Sequence, residues 1–256
     1  MSIKENANFL KLAYTRTNYI EILEEAEELG LSCKDFLERL LEKEAELRKA
    51  HGIKKRISYA KFPYRRYLSD YDTGHMKREV ARKIDELKSL EFIEKRENVI
   101  LIGNPGTGKT HLAVGLGTKA CEDGMKVLFS SVPNLVLELK EAMSLNQITA
   151  YKRKFESYDL VILDELGYVS FDKEGIEILF NLLSSRNDKG SIIITTNYVF
   201  ERWVEVFKDP ILTSAIVDRL AYKAHVLDMT GESYRVKETI SWLPNRLKNN
   251  SLQDNK

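Results

Sequence analysis

Residues 99–110 read Val-Ile-Leu-Ile-Gly-Asn-Pro-Gly-Thr-Gly-Lys-Thr. The apolar run Val99–Ile102 is followed by Gly103, Asn104, Pro105, Gly106, Thr107, Gly108, Lys109 and Thr110, which fit the pattern GxxxxGK[ST]. From His111 the chain continues HLAVGLGTKA, a helical composition. Strand, glycine-rich turn and helix in that order make a phosphate cradle. The glycines let successive backbone N–H groups turn inward, and the helix N-terminus adds the positive end of its dipole. Lys109 is expected to reach the β- and γ-phosphates, and the Thr110 hydroxyl to hold Mg²⁺. The nucleotide-binding set runs from Gly103 through His111. The competing reading, a glycine-rich turn that matches by chance, is disfavoured by the strand before it and the helix after it.

Outward from this loop, short apolar runs alternate with longer amphipathic stretches. Val99–Ile102, Val127–Phe129, Leu160–Leu163, Ile192–Thr195 and Ala224–Leu227 are five candidate strands. A charged helix from Met76 to about Glu94 precedes them. Apolar strands separated by helices imply an α/β fold, a parallel sheet covered on both faces with ligands at the carboxyl ends of its strands.

Three further motifs sit at such ends. Leu160-Val161-Ile162-Leu163-Asp164-Glu165 is an apolar run closing on two carboxylates. Asp164 is expected in the Mg²⁺ shell, and Glu165, next to it, can polarise an attacking water. The bland alternative is an ordinary loop start. Ser191–Asn197 ends a buried run in Asn197, which either contacts the γ-phosphate and orients water or is a turn asparagine. Arg219 lies near the end of the helical stretch Ile211–Leu220. It is either an arginine finger for a neighbouring subunit or a solvated arginine suited to a helix C-terminus. Arg235, in Gly231-Glu232-Ser233-Tyr234-Arg235, is a second sensor or a surface residue.

The chain has 256 residues, 40 Lys+Arg against 39 Asp+Glu, and a formal charge of +1. That excludes both a strongly basic chain and an acidic, solvating one. Cys33 and Cys121 exclude a disulfide framework, and neither has zinc-ligand spacing. No apolar run is long enough to span a membrane, and no secretory signal is visible at the N-terminus, so no membrane partner and a bacterial cytoplasmic location are expected. Charge is segregated, however. Glu21–Leu47 holds ten acidic residues against three basic, while Arg48–Arg66 holds eight Lys/Arg and no acid. The expected organisation is a helical N-terminal domain over 1–56, with Gly30 as a helix stop and Ser32 as a cap. A basic, aromatic linker arm over 57–75, an ATPase domain over 76–245 and a polar tail over 246–256 follow.

Taken together, GNPGTGKTHLA, LVILDELGY, IIITTN, VDRL and GESYR resemble the IstB-like ATPases of insertion sequences, relatives of the DnaC-type helicase loaders in the AAA+ class. The resemblance extends from about Leu10 to Tyr234. It implies an AAA+ P-loop core with a five-stranded parallel sheet between helices, a truncated or absent lid and a small all-α N-terminal domain. It also implies Mg²⁺-dependent hydrolysis of ATP to ADP and phosphate, nucleotide-dependent homo-oligomers, binding and deformation of duplex DNA, and regulation of a cognate transposase. Under it Arg219 becomes a trans-acting finger and Asn197 the first sensor, while Arg235 stays open because few residues remain to form a lid.

Two basic surfaces are candidates for DNA. Pro133–Ser157 is longer than one crossover helix needs and reads as helices near Asn134–Ser144 and Thr149–Glu156, offering Lys140, Lys152, Arg153 and Lys154. The arm offers Lys54, Lys55, Arg56, Lys61, Arg65 and Arg66 interleaved with Tyr59, Phe62, Tyr64 and Tyr67, a composition suited to a nucleic-acid backbone or to an acidic neighbour. Lacking a helix-turn-helix or zinc finger, the chain is expected to bind largely independently of sequence. A helicase loader acting on single-stranded DNA is the nearest alternative. A small-molecule kinase fits poorly with Glu165 and Asn197.

Overall fold

The computed structural model describes residues 2–74, 76–168, 171–186, 188–231, 233, 234 and 236. The chain divides into two compact units, the first ending at Arg56 and the second beginning at Ile57.

The first unit holds α1 (Ile3–Phe9), α2 (Ala13–Glu28) and most of α3 (Cys33–Tyr59). Gly30 adopts φ +62° after α2, the left-handed stop expected of it, and Ser32 Oγ accepts from Asp35 N at 3.2 Å. The residue before α2, Leu12, has no side chain able to cap it. Glu44 of α3 does so instead: its buried carboxylate accepts from the N–H groups of Ala13, Tyr14 and Thr15 at 2.8–3.0 Å. Helix α3 runs unbroken past Gly52 to Tyr59, because a glycine costs a helix interior only about 1 kcal/mol and good helix formers surround it.

In the second unit the expected helix over 76–94 is two, α4 (Arg78–Leu87) and α5 (Glu91–Glu94). They part at Leu90, which takes φ +64° and buries its side chain in the core. Then come β1 (Asn98–Ile102), α6 (Lys109–Glu122), β2 (Val127–Ser131), α7 (Val132–Ser144), α8 (Ile148–Glu156), β3 (Leu160–Leu166), α9 (Lys173–Ser184), β4 (Ser191–Thr196), α10 (Trp203–Phe207), α11 (Pro210–Ala221) and β5 (Ala224–Asp228). All five expected strands form. They make one parallel sheet in the order β2-β3-β4-β1-β5, the expected AAA+ P-loop architecture. The expected truncated lid and polar tail fall on residues 237–256, outside the described residues.

Alternation along the strands sorts the core into two layers. Ile100, Ile102, Val161, Leu163, Ile192 and Ile194 pack under α7, α9, α10 and α11. Val99, Leu101, Leu160, Ile162 and Ile193 pack under α4, α5 and α6. The segment from Ile57 to Asp72 lies against this second layer. Ala60 is fully buried and its carbonyl accepts from Phe129 N at 2.7 Å. Phe62 meets the Phe129 ring edge-on at 6.3 Å. Two glycines inside α6 make room for the segment: a Cβ on Gly115 would come within 2.9 Å of Leu68 Cδ2, and one on Gly117 within 2.7 Å of Ile162 and 2.9 Å of Phe62.

Candidate nucleotide site

The glycine-rich loop joins β1, an interior strand between β4 and β5, to the N-terminus of α6. Lys109 is buried and its Nζ donates to the carbonyl oxygens of Gly103 at 2.7 Å and Asn104 at 2.8 Å. Thr107 Oγ1 donates to the Asn104 carbonyl at 3.0 Å. The stretch after β5 backs the loop: Met229 N donates to the Ile102 carbonyl at 2.7 Å and Tyr234 N to the Gly106 carbonyl at 2.9 Å.

Beside it, β3 brings Asp164 to the same end of the sheet. Asp164 is buried, and its Oδ1 accepts from Thr110 Oγ1 at 2.9 Å and Thr195 Oγ1 at 2.5 Å. Thr195, on β4, also accepts from Glu165 N at 3.0 Å. The β3–β4 ladder pairs Leu163 with Ile194 and then Leu166 with Thr196, so β3 carries one extra residue there. Glu165 sits in this bulge with φ +64°. It is exposed, flanked by the buried Asp164 and Leu166. A left-handed conformation costs a non-glycine residue about 1–2 kcal/mol. The bulge spends it to turn one carboxylate of the pair out of the strand pattern.

Glu165, Thr195 and Asn197 line a cleft of about 370 Å³ with the loop from Pro105 to His111. Asn197 Oδ1 is buried and has no hydrogen-bond partner among the described residues. A hydroxyl and a carboxylate oxygen 2.9 Å apart, facing a lysine and a helix N-terminus, are the donor set a phosphate-bound Mg²⁺ takes, so Thr110 and Asp164 fit the ion and the loop fits the phosphates.

The rest of the cleft wall comes from the arm. Tyr64, Arg66, Asp70 and Tyr71 line it. The Arg66 guanidinium lies 5.3 Å from the Tyr64 ring centre. Tyr71 and His111 meet edge-to-face at 5.1 Å. Burial raises the Tyr71 phenol above its usual pKa. Burial, helped by nearby Arg66, lowers that of His111.

Arg219 is elsewhere. It lies in the last turn of α11, its guanidinium 5.0 Å from the Phe180 ring centre, in a small pocket lined by Arg96, Asn98, Gly190 and Lys223. Those residues lie at or just before the starts of β1, β4 and β5, whereas the phosphate loop follows the end of β1. A strand of five residues separates the two, roughly 15 Å. Arg235 lies outside the described residues.

The expected DNA contacts divide. Lys54, Lys55 and Arg56 are on α3 in the first unit. In the second, Lys61 Nζ pairs with Glu138 at 3.0 Å, and Tyr151 of α8 donates to the same carboxylate at 2.7 Å. Lys140 pairs with Asp172 at 2.5 Å and Glu174 at 3.9 Å. Arg65 is exposed, and Arg66 faces the nucleotide cleft. Lys152, Arg153 and Lys154 lie together on α8, the last two exposed. Sequence reasoning passed over Thr195, Tyr64 and Tyr71 as site residues. Thr195 reads as a strand former, and the tyrosines read as part of a binding arm.

The family model for IstB-like ATP binding proteins matches residues 5–241. A protein named for ATP binding in insertion sequence IS21 of Pseudomonas aeruginosa is 37% identical over 229 residues, covering 90% of this chain and 86% of its own. One named likewise for IS5376 of Geobacillus stearothermophilus is 34% identical over 236 residues, covering 92% and 94%. Among solved structures, the DnaC helicase loader superposes with TM-score 0.52 at 22% identity, over 68% of this chain and 98% of that one, a likeness of fold. With its phosphate loop, paired carboxylates and parallel sheet in place, this chain belongs to the family of IstB-like ATP-binding proteins.

Proposed function

We propose that this protein is an Mg²⁺-dependent ATPase that assembles on duplex DNA, deforms it and regulates the transposase of its insertion sequence. One observation carries the reading: Thr110, Asp164 and Thr195 are joined by hydrogen bonds through Asp164 Oδ1, with Glu165 turned out beside them into the cleft. This is the arrangement that hydrolysis requires.

The loop amides and Lys109 bind and orient the phosphates. Thr110 and Asp164 would hold Mg²⁺, which when bound would supply charge neutralisation at the phosphate oxygens. Glu165 accepts a proton at its carboxylate from the attacking water. The Asn197 amide, its Oδ1 without a partner among the described residues, orients that water. Arg219, remote from its own loop, reaches the cleft of a neighbouring copy. Nucleotide then favours assembly, and hydrolysis loosens it. DNA joining belongs to the transposase. The exposed Arg153 and Lys154 of α8, with Lys152 beside them, support contact with DNA phosphates.

The test is fluorescence anisotropy on matched duplex and single-stranded DNA at fixed salt, without nucleotide, with ADP and with a non-hydrolysable ATP analogue. The expected result is duplex binding that needs the analogue and is lost in Arg219→Ala. A single-strand preference would favour the helicase-loader reading. No DNA binding in any state would overturn both.

A further inference from the structure

The small pocket around Arg219, of about 90 Å³, is lined by four cations: Arg96, Arg186, Arg219 and Lys223. Asp188 is the one carboxylate on its wall, and that residue is exposed. None of the four cations makes an ion pair among the described residues.

Arg186 is only 1% exposed. Its guanidinium donates to the carbonyl oxygens of Phe155, Tyr158 and Ser191 at 2.6–3.3 Å. Its Nε is buried with no hydrogen-bond partner among the described residues. Gly190 leaves it room, since a Cβ there would stand 2.6 Å from Arg186 Nη2. The carboxylates whose charge it feels, Asp159 and Glu156, are engaged by Lys126 N and by Lys189. Burial pushes the guanidinium pKa down to about 10. A buried charge is costly without a counter-charge. Arg96 is held at the same place, its Nη1 donating to the Asp188 carbonyl.

Such a pocket suits an anion, and its size narrows the kind. It is far smaller than the roughly 300–1,000 Å³ of a site that encloses a whole ligand. It admits one oxyanion group projecting from a molecule held elsewhere. Guanidinium groups match phosphate oxygens in two-point contacts. The chain's own phosphate loop cannot present that group, because it follows the opposite end of β1. A neighbouring copy can, and Arg219, read above as reaching that copy's cleft, already stands in this wall.

We propose that Arg96 and Lys223 act with Arg219 in trans, the pocket they share receiving the terminal phosphate of the nucleotide held by a neighbouring copy. Arg186 lies beneath as a positioning residue. The inference rests on the trans reading of Arg219 and deepens it.

The test uses Arg96→Ala and Lys223→Ala in the full chain. Both residues are exposed, so their removal spares the fold, whereas Arg186 ties three carbonyls together. Without DNA, Arg96→Ala is expected to hydrolyse ATP about ten- to a hundredfold more slowly, the range for a hydrogen bond to a charged group. Lys223→Ala is expected to lose about two- to fivefold, as an exposed ammonium gives less. Both are expected to unfold at the wild-type temperature and, by isothermal titration, to bind ATP as the wild type does. Mixing Arg96→Ala with Lys109→Ala is expected to recover part of the rate, because the second variant supplies an intact pocket to the first one's intact loop. A structural arginine, or one serving its own loop, would not be rescued. Arg219→Ala, mixed in the same way, tests the underlying reading. If Arg219→Ala is slow and rescued while Arg96→Ala is fast, or slow without rescue, this inference alone is overturned. Arg96→Ala that keeps its rate and loses duplex affinity by anisotropy also overturns it, in favour of a DNA phosphate. If mixing rescues neither arginine variant, the trans reading falls with it.

Discussion

The Thr195 hydroxyl donates to Asp164 Oδ1 at 2.5 Å, so a side chain on β4 fixes the carboxylate on β3 that would hold the metal. The same oxygen of Thr195 accepts from Glu165 N at 3.0 Å. One hydroxyl therefore orients the side chain of the first acid and the backbone of the second. Thr195→Val keeps the shape and removes both bonds. Loss of an outer-shell partner typically costs ten- to a hundredfold in metal affinity or activity. The variant is expected to need about that much more Mg²⁺ for half-maximal ATP hydrolysis, while Thr195→Ser stays near wild type. A phosphate-release assay over a Mg²⁺ series measures it.

Glu165→Gln is expected to lower the hydrolysis rate by about 10²- to 10⁴-fold, the usual worth of a general base. ATP affinity by titration is expected to stay within a few-fold, because the carboxylate faces the cleft without holding the loop.

Arg219→Ala is expected to leave ATP affinity unchanged in the isolated chain, since its guanidinium stands at the other end of the sheet from its own loop. ATP-dependent assembly, read by light scattering, is expected to be lost. Mixing Arg219→Ala with Lys109→Ala is expected to recover part of the hydrolysis, because some interfaces then join an intact loop to an intact arginine.

Acid is expected to weaken the fold partly through His111. Its folded-state pKa is lowered, by burial first and by Arg66 second. The native protein therefore binds fewer protons at this site than the unfolded chain. The stability it contributes is full above the unfolded value near 6.5 and is lost as pH falls through the folded one. Unfolding midpoints between pH 7 and 5.5 are expected to fall less steeply in His111→Gln than in the wild type.

Gly117→Ala is expected to destabilise the protein by about 1–3 kcal/mol in urea titration, the usual cost of overpacking. The added methyl would meet Ile162 and Phe62 at 2.7 and 2.9 Å.

The sheet was legible because strands buried on both faces read as unbroken apolar runs, and the phosphate loop because its chemistry lies within eight consecutive residues. Asp164 and Glu165 stood out for the same local reason. The role of Thr195 was not legible, since it depends on the register between β3 and β4, a pairing made across some thirty residues. Nor was the placement of Arg66 and Tyr64 at the cleft. Cations among aromatics suggest a nucleic-acid surface from composition alone, and their position follows from how the arm docks along α6. Gly115 and Gly117, unusual inside a helix, were the visible trace of that docking. Lys140 looked available for DNA because its partner Asp172 lies thirty-two residues away in the chain.

The outermost strand on one side of the sheet is β2, and the arm lies along it, the Ala60 carbonyl taking the Phe129 N–H. A bare margin there would invite another molecule's backbone to zip onto it, a nearly irreversible kind of polymerisation. Held from within at that point, the margin offers an incoming backbone one fewer free N–H on which to start such a ladder.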